Sequence, residues 1–124
     1  MQSIEEIQSL CDKLYMPPSS VEEKLEVEKQ FSLFKQSPEF LSQCVLVLQN
    51  SNSPQTQHTI AFAMHSTITE RWNQFKDGPK SVELRNWLIQ FLGHRGETLE
   101  DFVLTTVVKV TLKCSGPLAI ITFY

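Results

Sequence analysis

Three histidines and three cysteines are the side chains of this 124-residue chain best suited to metal binding or general-base work. His58 and His65 fall on one helix-patterned block, two turns apart. That spacing puts them on the same side but about 10 Å apart along the axis, too far to share an ion. His94 stands alone, and all three read as surface or groove-lining residues. Cys11, Cys44 and Cys114 are odd in number, widely separated and without a CxxC spacing, which argues against a disulfide framework and a zinc site. They read as reduced, mostly buried thiols, and nothing near Cys44 in sequence would lower its pKa for nucleophilic work. No serine or cysteine sits in a nucleophile motif, and no glycine-rich loop follows a strand to hold phosphates. The acid pairs Glu22-Glu23 and Glu100-Asp101 stand at helix starts, where the helix dipole accounts for them. The expected inventory is therefore no catalytic residue, no metal and no cofactor: a protein that works through surface shape, not an enzyme.

Charge narrows the partners. The formal net charge is −3, and residues 1 to 50 carry eight acids against four lysines. No basic stripe interleaved with aromatics is present, so nucleic acid is not an expected partner. The acidic half suits a basic protein surface, or else it is a solvated set of helix faces. No apolar run reaches the length of a membrane span, and Glu5 and Glu6 stand where a signal peptide would carry positive charge. No membrane partner and an intracellular compartment are expected. A hydrophobic fraction of 41% with 20% charged residues is that of a chain able to pack a core.

The elements that must position any binding surface follow from caps and apolar spacing. Ser3 with Glu6 forms a capping box ahead of Ile4, Ile7, Leu10, Cys11 and Leu14, and Pro17-Pro18 ends that helix. Ser20 with Glu23 repeats the device for a second helix carrying Val21, Leu25, Val27, Phe31 and Phe34. Ser37 serves as the next cap with Pro38 at the first helical position, followed by Phe40, Leu41, Cys44, Val45 and Leu48. Ser53-Pro54 opens the fourth and longest helix, whose ladder is Ile60, Ala61, Met64, Ile68 and Trp72. Asp77-Gly78-Pro79 breaks it. Ser81 opens a fifth, with Leu84, Trp87, Leu88, Phe91 and Leu92 on one side and Gly93 and Gly96 bracketing its end. Thr98 and Asp101 begin the last, with Phe102, Val103, Val107 and Val110 buried. Its run Thr105 to Val108 would suit a strand in isolation, but five preceding helices favour a sixth. Trp72 and Trp87 continue their ladders and read as core rather than binding anchors.

Short loops make consecutive helices antiparallel neighbours, so six helices pair into three hairpins. Their caps recur at roughly 35- to 45-residue spacing, a period of helical-hairpin solenoids. The fold expected is all-α: antiparallel hairpins stacked as a HEAT/armadillo-type right-handed superhelix over residues 1–113, with an atypical apolar tail at 114–124.

Several segments in order carry a family resemblance. Leu14-Tyr15-Met16-Pro17-Pro18-Ser19-Ser20, then Glu28-Lys29-Gln30-Phe31, then Phe34-Lys35-Gln36-Ser37-Pro38 resemble the N-terminal start of the importin-beta superfamily, especially the exportin four, exportin seven and Ran-binding-protein-seventeen branch. Glu70-Arg71-Trp72 and Leu84-Arg85-Asn86-Trp87-Leu88-Ile89 resemble later elements of the same branch, and the resemblance spans roughly residues 4 to 113. Val27 departs from the small residue usual there, and the stretch from Cys114 to Tyr124 does not look like the family continuation. The resemblance implies a nuclear transport receptor, present in nucleus and cytoplasm. It implies Ran-GTP as a partner, together with nuclear pore proteins and protein cargo held mostly by regions beyond this segment. With Ile60, Met64, Ile68 and Trp72 pointing inward, His65 and Thr69 lie on another side of the fourth helix and are the expected Ran-facing residues. The other reading of the same residues is a free-standing helical adaptor of membrane traffic that binds short peptides in a groove.

Gly116-Pro117 should stop the last helix, leaving Leu118, Ala119, Ile120, Ile121, Phe123 and Tyr124 as an uncharged, β-prone strip that favours self-association. Light scattering should therefore show a larger mass for the full chain than for one lacking residues 117 to 124. Monomers in both cases, with the full chain melting higher, would mean that the strip folds back instead.

Overall fold

A computed structural model describes residues 3–75 and 78–115. It is all-α, with no strand among the described residues: α1 (Ile4–Tyr15), α2 (Val21–Gln36), α3 (Phe40–Asn50), α4 (Pro54–Glu70), the short α5 (Trp72–Phe75), α6 (Pro79–Arg95), a 3-10 turn at Gly96–Thr98, and α7 (Asp101–Ser115). The chain forms two compact units, Met1–Ile60 and Ala61–Tyr124, divided within α4. The Asp77 part of the expected break and the tail from Gly116 onward lie outside the described residues.

In the first unit α1 packs on α2, and both touch α3. Both serine caps form, but neither capping box closes as expected, and the Glu6 carboxylate accepts from the Ser3 hydroxyl. Ser3 Oγ accepts from the Glu6 N–H at 3.2 Å and Ser20 Oγ from the Glu23 N–H at 3.0 Å, each satisfying a donor that the first helical turn leaves orphaned. The Glu23 carboxylate reaches one residue further back than the motif implies, accepting from both the backbone N–H and the hydroxyl of Ser19. Those bonds, the hydroxyl's first, hold its pKa below the ordinary carboxylate value. Ile7, Cys11, Cys44, Val47 and Leu48 are sealed from solvent, and Phe34 meets Phe40 edge-on at 4.9 Å.

Two expectations in this unit need correction. Helix α3 starts at Phe40, not Pro38, because Ser37-Pro38-Glu39 is taken up by a turn in which the Phe40 N–H bonds the Ser37 carbonyl at 3.1 Å. Ser37 Oγ accepts from the Glu39 N–H instead of capping α3. In α2, Phe34 is buried but Val21 and Leu25 are 73% and 59% exposed. The side that faces inward runs through Val27, Gln30, Phe31 and Phe34, a run with i, i+3, i+4, i+7 spacing. Leu25 stands two residues before that run and so points away from it.

The link into α4 is held by polar groups. Gln57 Nε2 donates to the Ser51 carbonyl at 2.9 Å, and the Ser53 N–H donates to Ser51 Oγ at 3.1 Å. Ser53 caps as expected, Oγ accepting from the Thr56 N–H at 3.3 Å. Ile60, Ala61, Met64 and Ile68 are buried. The ladder does not continue to Trp72: α4 ends at Glu70, Arg71 forms a turn, and Trp72 begins α5 half-exposed.

In the second unit α6 and α7 pack together, burying Leu84, Leu88, Phe91, Val103, Val107 and Val110. Helix α6 begins at Pro79, before Ser81, with Gly78 as N-cap. Proline already supplies the first-turn geometry, and the buried Ser81 Oγ donates to the Gly78 carbonyl at 2.9 Å. Gly93 lies inside α6, and Gly96 is its C-cap. Thr98 does not open α7, because its hydroxyl is spent on the Arg95 carbonyl at 2.7 Å, closing the 3-10 turn. Phe102 is 47% exposed rather than buried. Trp87 is half-buried and stacked on Phe91 at 5.0 Å. The β-branched run is helical, with the Thr105, Thr106 and Thr111 hydroxyls each donating to the carbonyl four residues back. That bond satisfies a hydroxyl without breaking the helix.

Urea unfolding should separate the two leucine environments. Leu48→Ala removes a fully buried side chain and should cost about 2–5 kcal/mol, whereas Leu25→Ala should stay within about 0.5 kcal/mol. Ser20→Ala should cost about 1 kcal/mol through the lost cap. Equal losses at the two leucines would contradict the assigned face of α2.

Candidate functional site

Helix α4 buries Ala61, Ala63, Met64, Thr67 and Ile68; Ser66 and Glu70 remain outside the core, as do Phe62, His65 and Thr69. Their i, i+3, i+7 spacing makes them a single stripe. Phe62 is 60% exposed, His65 half-buried and Thr69 exposed. The two residues expected from sequence therefore lie on one face of the helix, one turn apart, outside the core.

The same unit brings α7 to this stripe. Lys109 and Lys113, one turn apart on α7, lie close enough to His65 for their charges to act on its ring. Lys113 Nζ stands 4.9 Å from the Trp72 ring centroid, a cation–π arrangement. The result is a cationic, partly aromatic patch assembled from α4, α5 and α7. Trp72, expected in the core, is instead the platform under Lys113. Sequence reading missed Lys109, Lys113, Trp72 and Phe62 as site residues. The lysine pair has a visible i, i+4 spacing, but nothing local says which helix it will face.

Burial first, and the fields of Lys109 and Lys113 second, hold the His65 pKa below the ordinary 6.5. Both effects penalise the charged ring. His65 is thus a neutral hydrogen-bonding group beside two fixed positive charges.

The remaining chemistry-bearing residues are accounted for structurally. His58 Nδ1 and the Tyr15 hydroxyl share a 3.3 Å hydrogen bond, tying α1 to the first turns of α4. Burial pushes the Cys11 and Cys114 thiols up to about 12, with Asp12 adding to the rise at Cys11 and Arg85 opposing it at Cys114. Burial raises Cys44 well above its ordinary range, reinforced by Cys11. None of the three supplies a thiolate near neutral pH. Among the described residues, no three His, Cys, Asp or Glu side chains converge as metal ligands. A separate open groove of about 340 Å3 in the first unit is lined by Leu14, Met16, Pro17, Pro18 and Val27 together with the charged Lys13, Lys24, Glu23 and Glu28.

The Importin-beta N-terminal domain matches residues 27–94. The chain belongs to this family. The match runs from the middle of α2 into α6 and includes His65, Thr69 and Trp72, but stops short of Lys109 and Lys113. Among individual proteins, the chain is similar to Exportin-7-B of Xenopus laevis, 26% identical over 110 residues that cover 89% of this chain and 10% of that protein. It is also similar to Ran-binding protein 17 of Mus musculus, 28% identical over 112 residues covering 90% of this chain and 10% of the relative. The chain therefore spans about a tenth of the length of the relatives it matches. No solved structure matches it. Within the family frame, the sequence-order resemblance to an exportin N-terminal region holds.

The sign of the His65 effect is testable. With its folded pKa depressed, the neutral ring contributes stability that is complete above about pH 6.5, the unfolded value, and is lost as pH falls through the lower folded value. An NMR titration of the ring should give a midpoint below 6.5. Lys113→Gln should raise it only part of the way, since burial remains. An ordinary midpoint in the unsubstituted chain would contradict the geometry around His65.

Proposed function

We propose that this chain is the N-terminal helical-repeat part of an exportin-type nuclear transport receptor and that it carries part of a surface for the small GTPase Ran in its GTP form. The observation that carries the reading is the importin-beta N-terminal match over 27–94, joined by relatives named as an exportin and as a Ran-binding protein. It is supported by the character of the site. A stripe of neutral His65, Thr69 and the exposed Phe62 can bind a protein face but offers no group to carry out a reaction. The function is accordingly binding: the receptor moves between nucleus and cytoplasm, and contacts with cargo and nuclear pore proteins fall to the full-length receptor. The adaptor reading has no comparable support among the relatives.

Preference for the GTP form requires differential affinity for the two nucleotide states, since a surface that binds both equally responds to neither. Immobilised chain, or a longer chain with the same N-terminus, should retain Ran loaded with GTP over Ran loaded with GDP by about tenfold or more. Replacing His65 and Thr69 together with Glu should weaken retention of the GTP form by about tenfold, about 1.4 kcal/mol, with an unchanged circular dichroism spectrum. Equal retention of both forms would sink the receptor reading. Unchanged affinity in the double variant, with the GTP preference intact, would remove only these two residues from the surface.

A further inference from the structure

We propose that the patch formed by Lys109, Lys113, His65 and Trp72 is a docking point for a carboxylate-rich segment of a protein partner. The inference rests on reading the His65 side of α4 as partner-facing, but not on that partner being Ran.

Lys109 and Lys113 are positive charges one turn apart on α7, a like-charge pairing that disfavours the helix by itself. Neither makes an ion pair among the described residues. Lys113 is instead held over the Trp72 ring at 4.9 Å, which localises its ammonium while leaving its outer side open. His65, kept neutral beside them, can donate a ring N–H without adding a third charge that would repel the other two. The patch thus has two cations, one of them localised on Trp72, and a neutral donor in reach of both, with no carboxylate paired to either lysine among the described residues. Acids placed at a spacing of one turn, about 5–6 Å, would match the lysine pair.

Charge balance across the chain selects the kind of anion. An extended nucleic acid draws its affinity from many phosphate contacts along a basic track. Here the net charge of the chain is −3 and the patch holds two lysines, so a long polyanion finds too few cations and meets a net penalty. A short acidic stretch on a protein surface meets the lysines without that penalty and can place its apolar neighbours against Trp72 and the exposed Phe62.

Fluorescence anisotropy of a labelled peptide alternating Glu and Ala, titrated with the full chain at low salt, tests this. The acidic peptide should bind and its Gln-for-Glu counterpart should not, and the His65 ring resonances should shift on titration. K109E/K113E should weaken binding about tenfold or more, while K24E/K29E on α2 should leave it unchanged. If charge reversal disturbs folding by circular dichroism, K109A/K113A replaces it, with at least a threefold loss expected. Equal weakening by both charge-reversed pairs, binding of the Gln peptide, or tighter binding of a single-stranded oligonucleotide would overturn the proposal. Because the readout is peptide binding, its failure leaves the GTP-over-GDP preference standing, and the reverse also holds.

Discussion

Helix α4 is buried over so wide an arc that its outward character is set by what is left over. Ile60, Met64 and Ile68 are sealed from solvent, Ala61 and Ala63 on flanking positions are nearly so, and Thr56, Gln57 and Thr67 are buried as well. Burying that many side chains requires small residues where backbones come close and internal partners for the polar ones. The Gln57 bond to the Ser51 carbonyl meets the second demand at the N-terminal end. With those positions consumed, Phe62, His65, Ser66, Thr69 and Glu70 are the side chains of its second half left outside the core. The candidate surface is a consequence of core packing, not an addition to it.

Helix α7 shows how the same core places charge. Val103, Val107 and Val110 are drawn inward, and the helical period then sends Lys109 and Lys113 to the other side of the helix. Their fields reach His65, and Lys113 settles on the indole of Trp72. Trp72 is available there because α4 stops at Glu70: the turn at Arg71 takes the ring off the buried ladder of Ile60, Met64 and Ile68 and sets it at the edge. One break in a helix thus converts an expected core residue into a surface platform.

The ionisable groups are consistent with the proposed binding role. The cysteines are held as thiols by burial, and Glu23, whose carboxylate is perturbed, is occupied with organising the start of α2. The perturbed histidine is the exception: it lies on the partly exposed stripe, beside cations, where a neutral donor has binding value.

Helix existence and order were legible in the sequence, because caps, prolines and 3.6-residue apolar spacing act over a single turn. Ser3, Ser20 and Ser53 cap where their spacing places them, and the all-α class and family resemblance follow from such local signals in order. Starts marked by several competing signals were not: Ser37, Ser81 and Thr98 each had a cap-like type, yet their hydroxyls serve neighbouring turns instead. Faces were readable only where one apolar stripe existed, as in α4, and misread in α2 and at Phe102, where more than one set of apolar residues could be drawn. What tertiary structure alone decided is which helix lies opposite which. The juxtaposition of His65 with Lys109 and Lys113, and of Lys113 with Trp72, joins residues some forty positions apart. Periodicity within one helix carries no information about the charges a neighbouring helix will bring to it, since that depends on packing between helices.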